Sequence, residues 1–366
     1  MTGGGARAAY QVGVVRAIYE IQRKDSHLFD IITGNSAGAI NSTYLAANAG
    51  DWDVATLNLM ALWKRIRPQD IYDLRARTVT ELGMKWLGGT MFGGLTKSGS
   101  NINHLLDTEP LKKLLKREID FYHIDENLKN GSLHGVGLST TNYTSGSNVI
   151  FYQGSEHIRD WSRSDRFSVR ENLNLDHLMA SAAIPFFFPP VKIGNSFYGD
   201  GCVRQTTPLS PAIHLGADKI VAIGVRFPHN QQRMKELSFS TVKTPTLGQI
   251  SGVMMNAIFL DTLEADVERM ARINTLIQEG HKENLKSIPV LLIRPSRDLG
   301  KMTERLNEEL PPTLRYLLKG IGVSDKEGLD LLSYLAFDPS YTVPLMELGY
   351  DDTMKIKSQV EDFIGA

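Results

Sequence analysis

Ser36 stands between two glycines in Gly34-Asn35-Ser36-Ala37-Gly38, directly after Phe29-Asp30-Ile31-Ile32-Thr33. A G-x-S-x-G turn from strand to helix bends so sharply that the serine is presented at the helix N-terminus. Backbone N–H groups and the helix dipole there favour negative charge, which suits a hydroxyl acting as a nucleophile. The plainer reading is a βα turn in which Ser36 only caps the helix. Gly3-Gly4-Gly5-Ala6-Arg7 opens another helix. Consecutive glycines free N–H groups to face a cavity, where they can hold an oxyanion or a phosphate. No Gly-Lys-Ser/Thr follows, and the spacing is not that of a dinucleotide loop. Arg7 lies where the helix dipole disfavours a cation. Its role is a structural ion pair, a hold on the glycine loop, or attraction of an anionic head group. Asp200-Gly201 follows the run Val191 to Tyr198. Alone it reads as a turn. A serine nucleophile, however, needs a base within reach, and a partly buried carboxylate can serve.

These residues need elements to position them. Apolar spacing predicts a helix over Ala8 to Lys24, and Leu28 to Thr33 reads as a buried strand. Ser36 to Ala49 is rich in small residues and reads as a helix closed by Gly50. Further helices are expected over Glu109 to Arg117 and Asp176 to Ala183, the second stopped by Pro185. Leu133 to Thr140 and Asn148 to Gln153 read as strands around a Tyr143–Ser147 turn, and Lys219 to Val225 as a buried strand. Alternating strands and helices predict an α/β protein with a mostly parallel central sheet covered on both faces. After Arg226 the texture changes to a polar segment, one long helical stretch from Leu247 to Ile277, a strand over Ile288 to Ile293, and more helices. We therefore expect a catalytic unit over residues 1–226 and a helical C-terminal extension over 227–366 packed on the same domain.

Composition narrows the function classes. A net charge of -1 over 366 residues gives no reason to expect nucleic-acid binding. Lys112, Lys113, Lys116 and Arg117 alternate with leucines and read as the wet face of a helix. The one cysteine, Cys202, excludes an intrachain disulfide and fits a reducing compartment. No apolar run approaches the ~20 residues of a membrane span, and no signal peptide is read. No His/Cys ligand spacing or acidic calcium loop appears, so no metal and no cofactor is expected.

Together the three segments resemble the patatin-like phospholipase family. Gly3–Arg7 is similar to its glycine-rich loop, Gly34–Gly38 to its nucleophile elbow, and Asp200-Gly201 to its base motif. Ala180-Ser181-Ala182-Ala183-Ile184-Pro185, Phe188-Pro189-Pro190 and Pro208-Leu209-Ser210-Pro211-Ala212 match as well, so the resemblance spans residues 3 to 225. In the tail only Leu348-Gly349-Tyr350-Asp351 hints at it. The resemblance implies a three-layer α/β/α fold and a Ser36–Asp200 dyad acting without histidine on lipid acyl esters. It assigns the oxyanion hole to Gly3, Gly4 and Gly5, with Arg7, Gly34, Gly38 and Gly201 in support. The sequence departs from the family at Ala8 and at Cys202. It departs also before the glycine loop, where the family has an apolar strand and this sequence has Met1-Thr2. An absent strand is expected to cost the sheet a member and the loop its anchor.

The expected partner is a phospholipid or other acyl lipid met in transient contact with a membrane surface, by a cytoplasmic protein. Met84 to Leu95 suits a lid or an interfacial loop, or else a buried loop. Met254, Met255, Ile258 and Phe259 belong either to an acyl groove or to the core. Two rival readings stand. One is a histidine-assisted esterase or acyltransferase using His214, His229 or His281. The other is a non-catalytic lipid-binding protein.

Overall fold

A computed structural model describes residues 1–22, 27–73, 104–228, 244–280, 285–304, 310–320 and 328–365, with positions 232, 235, 239, 306 and 323. The expected lid at 84–95 lies outside these residues, as does most of the polar segment 229–243.

The frame is a seven-stranded sheet. Its strands are β1 (Ile31–Gly34), β2 (Gly135–Asn142), β3 (Asn148–Gly154), β4 (Ser162–Arg163), β5 (Arg166–Arg170), β6 (Val191–Ile193) and β7 (Ser196–Asp200). Along the sheet they run β4-β5-β3-β2-β7-β6, and β1 also pairs with β2. A separate pair, β8 (Ile220–Ile223) and β9 (Val290–Ile293), is parallel. The expectation of mostly parallel pairing needs correcting. β1 and β5 lie parallel to their neighbours β2 and β3, but β2 pairs antiparallel with both β3 and β7, and β6 pairs antiparallel with β7. The reason is local. The Asn142-to-Asn148 connection is a tight turn, which can only return the chain antiparallel. β2 is buried along its whole length, as a central strand covered on both faces must be.

Helices cover the sheet and supply the core. α1 (Ala9–Gln22) and α2 (Ala37–Ala47) are buried over most of their surface, and α2 over all of it. Small side chains permit this, because helix axes then approach closely. Gly13 and Gly349 lie where the backbone of α1 meets that of the Pro339–Lys355 helix; a Cβ at either would collide with main chain of the other. The principal apolar cluster accordingly runs from Ala6 to Val360. On the Glu109–Glu118 helix the leucines are buried and the basic residues face solvent. The long stretch expected from 247 to 277 is two helices, Leu247–Phe259 and Asp261–Gln278, broken at Leu260. Asp261 and Glu264 in the first turn of the second favour a fresh N-terminus there.

Met1 and Thr2 bridge the two sheets. The Met1 ammonium donates to Thr33 O at 2.8 Å, Asn35 N–H to Met1 O at 3.4 Å, and Thr2 N–H to Ile223 O at 3.3 Å. These bonds anchor the start of the glycine loop. β1 and β8 flank a cavity of about 630 Å³ lined in part by Ile31, Thr33, Ile220 and Val221.

Candidate active site

The register of β2 brings the ends of two strands together. β1 runs parallel to β2 and stops at Gly34, opposite Leu138. β7 runs antiparallel and stops at Asp200, opposite Thr140. β3 holds the other edge of β2, so both ends meet on one edge, around Ser139. Ser36 and Asp200, 164 positions apart in sequence, are neighbours for this reason.

Ser36 has φ 56° and ψ −133°, a strained backbone for a residue with a side chain. Neighbouring groups hold it there. Its N–H donates to Ser181 O at 3.1 Å and to Ser181 Oγ at 3.3 Å. Ser181 Oγ in turn donates to Ser139 O at 2.7 Å, which ties the elbow to the strand junction. Gly34 and Gly38 provide close approach. A Cβ on Gly34 would strike Gly38 O and Ser42 Oγ, and one on Gly38 would strike the carbonyls of Met1 and Thr2.

Asp200 is fully buried. Its Oδ1 accepts the Cys202 N–H at 2.9 Å, while Oδ2 has no hydrogen-bond partner. Burial pushes the carboxyl up to about 7; the nearby Ser36 hydroxyl and the Cys202 N–H pull the other way. The hydroxyl is thus close enough to favour the charged carboxylate, yet no well-formed hydrogen bond joins it to Oδ2. Gly201 lets β7 end against β2, since a Cβ there would collide with the Ser139 carbonyl. Cys202 is buried, and burial together with the Asp200 charge raises its thiol well above the usual range. It is a packed filler and not an activated thiolate.

The glycine loop lies against both groups. A Cβ on Gly3 would meet Ser36 Cβ, Cys202 Sγ and the ring of Phe259. Gly5 has φ 56°, a left-handed conformation that glycine adopts freely. Among the described residues neither the Gly4 nor the Gly5 N–H has a hydrogen-bond acceptor. A buried polar chain fixes the loop relative to the elbow. Trp63 Nε1 donates to Asn41 Oδ1 at 2.8 Å, Asn41 Nδ2 to Gln11 Oε1 at 3.1 Å, and Gln11 Nε2 to Thr2 O at 2.7 Å.

Arg7 is buried and paired with Asp330 Oδ1 at 2.8 Å, so it offers no free charge to a head group. The sequence does not single out Gln11 or Asp330, and Asn41 and Ser181 stand out in it only as members of family-like stretches. Nothing local marks their roles, because their partners are distant in the chain. Of the histidines proposed in the rival reading, His214 stacks on Trp161, with ring centres 4.8 Å apart. His229 and His281 lie outside the described residues. Met255 and Phe259 are core residues, whereas Met254 is 55% exposed.

The sequence model of the family described as patatin-like phospholipase matches residues 1–213, which contain all three segments of this site. The chain belongs to the patatin-like phospholipase family. Membership in it implies a three-layer α/β/α fold. No curated protein matches the sequence. Among solved structures, VipD from Legionella pneumophila is similar over 98% of this chain and 66% of that one, at 12% identity and a TM-score of 0.33. This chain therefore spans just under two-thirds of that protein's length. Among the described residues, no helix of this patatin-like chain is long and apolar enough to cross a membrane.

Proposed function

We propose that the chain hydrolyses acyl lipids of the phospholipid or lysophospholipid type through an acyl-enzyme on Ser36, with Asp200 as the only side-chain base. Ser36 Oγ attacks the ester carbonyl as its proton passes to Asp200 Oδ2. The carbonyl oxygen becomes an oxyanion facing the Gly3–Gly5 loop, where the Gly4 and Gly5 N–H groups have no other acceptor. Collapse of the tetrahedral intermediate breaks the ester C–O bond, and Asp200 returns the proton to the departing alcohol. Water then repeats the cycle on the acyl-enzyme and releases the fatty acid.

One observation carries this reading: a buried carboxylate oxygen without a partner beside a strained serine. A carboxyl raised to about 7 suits the task, since a general base works best near the operating pH. Hydrogen bonds of this kind commonly tighten only when substrate binds, so the imperfect Ser36–Asp200 alignment fits the role. Contact with a lipid surface is supported by the Leu247–Phe259 helix. Leu247, Ile250, Val253 and Met254 form an exposed apolar face on it, while Phe259 packs beside the glycine loop.

The test is hydrolysis of phospholipid in mixed micelles by wild type, Ser36→Ala and Asp200→Asn. Each substitution is expected to lower kcat by about 10³-fold or more in folded protein. Retained activity in either variant removes that residue from the mechanism. A folded but inactive wild type would favour the lipid-binding alternative.

A further inference from the structure

The glycine loop has two sides, and the nucleophile accounts for only one. On the other side lies the Leu329–Leu335 helix, beyond the residues that match the family. A Cβ on Gly5 would collide with the main chain of Tyr334, so loop and helix lie backbone against backbone. Arg7, two residues further on, spans the junction. Its Nε donates to Ser333 Oγ at 2.7 Å and its Nη2 to Asp330 Oδ1 at 2.8 Å. The guanidinium also sits 4.6 Å from the centre of the Tyr334 ring. Tyr334 OH donates to Asn256 Oδ1 at 2.9 Å, and its ring packs 5.4 Å from that of Phe259, the residue beside Gly3. The helix has its own anchor, since Tyr72 OH donates to Leu335 O at 2.7 Å.

Resting on the dyad reading above, we propose that Asp330 and Tyr334 are positioning residues for the oxyanion loop, acting through Arg7. The planar fork of an arginine paired to a carboxylate and stacked on a ring fixes both distance and angle. Arg7 belongs to the turn Gly5–Ala8, whose first amide is one of the two free donors. A shift of the helix therefore moves those donors relative to Ser36. An error of 1 Å in such a donor is enough to cost ~10²-fold in rate. The helical C-terminal region is on this account part of the catalytic apparatus. Substrate affinity is left largely alone, because the clamp faces away from the Ser36 side of the loop.

The experiment is steady-state kinetics on a short-chain nitrophenyl ester, with thermal unfolding of each variant, for Asp330→Ala, Asp330→Asn, Tyr334→Leu and the double variant Arg7→Met/Asp330→Leu. Asp330→Ala and Tyr334→Leu are expected to lower kcat about tenfold or more with KM within about twofold. Asp330→Asn, which keeps an acceptor for the guanidinium, is expected to recover most of that loss. The double variant removes the buried charge together with its partner, so it regains thermal stability but keeps the low kcat. A double variant that regains kcat along with stability would show the clamp to be structural only and overturn the proposal. So would losses confined to KM. Ser36→Ala is run alongside: its inactivity with an unaffected Asp330→Ala rejects the clamp alone, whereas activity in Ser36→Ala rejects the dyad beneath it.

Discussion

The two sides of the site are built by different means. On the sheet side, Ser36 and Asp200 are set by strand register: β1 and β7 end on the same edge of β2, and glycines let the backbones close up. On the helical side, the glycine loop meets the Leu329–Leu335 helix backbone against backbone at Gly5, and long side chains lock that junction, with Arg7 reaching a residue more than 320 positions along the chain. Register is a property of many hydrogen bonds and tolerates the loss of one. A clamp made by one guanidinium does not. The difference teaches where the molecule is sensitive. Added Cβ atoms at the close-packed glycines should harm both sides, whereas single side-chain deletions should harm the helical side more than the sheet side.

The largest effect that would break this comparison belongs to Gly201→Ala. The added methyl would strike the Ser139 carbonyl at the point where β7 ends, with no flexible atom to yield. A loss of about 3 kcal/mol in unfolding free energy is expected, by denaturant titration. A loss below 0.5 kcal/mol would mean that close packing of β7 on β2 does not place Asp200.

Next in size is the stability of Asp200→Asn. Burial raises the Asp200 carboxyl to about 7, so the folded state keeps a proton that the unfolded chain has released. Stability from this group is therefore present below the ordinary carboxylate range and lost as pH rises through about 7. At pH 8 the asparagine variant should be more stable than wild type by on the order of 2 kcal/mol, and the gap should close at pH 4. Unfolding curves with equal gaps at both pH values would remove the buried ionisation from the account.

The smallest sharpens the elbow itself. Ser181→Ala deletes the bond to Ser139 O and the second acceptor of the Ser36 N–H, while the Ser181 carbonyl keeps its bond to Ser36. Thermal unfolding should show a loss of about 1 kcal/mol. No change would mean that the main chain alone holds the strained serine.

How much of this was legible in the sequence follows the same division. Glycines, a serine and an aspartate at short fixed spacing report local backbone geometry, and the structure brings Gly3–Gly5, Ser36 and Asp200 together. Strand and helix positions were readable within a few residues wherever apolar spacing was regular. β1 begins at Ile31 and not at Leu28, because the ladder with β2 starts only where Ile31 faces Gly135. The break at Leu260 was hidden because apolar spacing runs across it. Mixed strand direction was hidden as well, since a buried strand reads the same whichever way its neighbours run. Asp330 and Gln11 have no local signature at all, and Asn41 has only its place in the flank of the elbow. Their meaning lies in partners that only the fold brings near.

The central claim is that Asp200 alone serves as base for Ser36. It is tested most directly by kcat/KM for a nitrophenyl ester measured from pH 5 to pH 9. Wild type should rise through a single ionisation with a midpoint of about 7 and stay level above it, as the buried carboxyl loses its proton. The rise should be absent in Asp200→Asn, whose residual rate is low and flat, and unchanged in His214→Gln. A midpoint near 7 that survives in Asp200→Asn, or disappears in His214→Gln, would contradict the account.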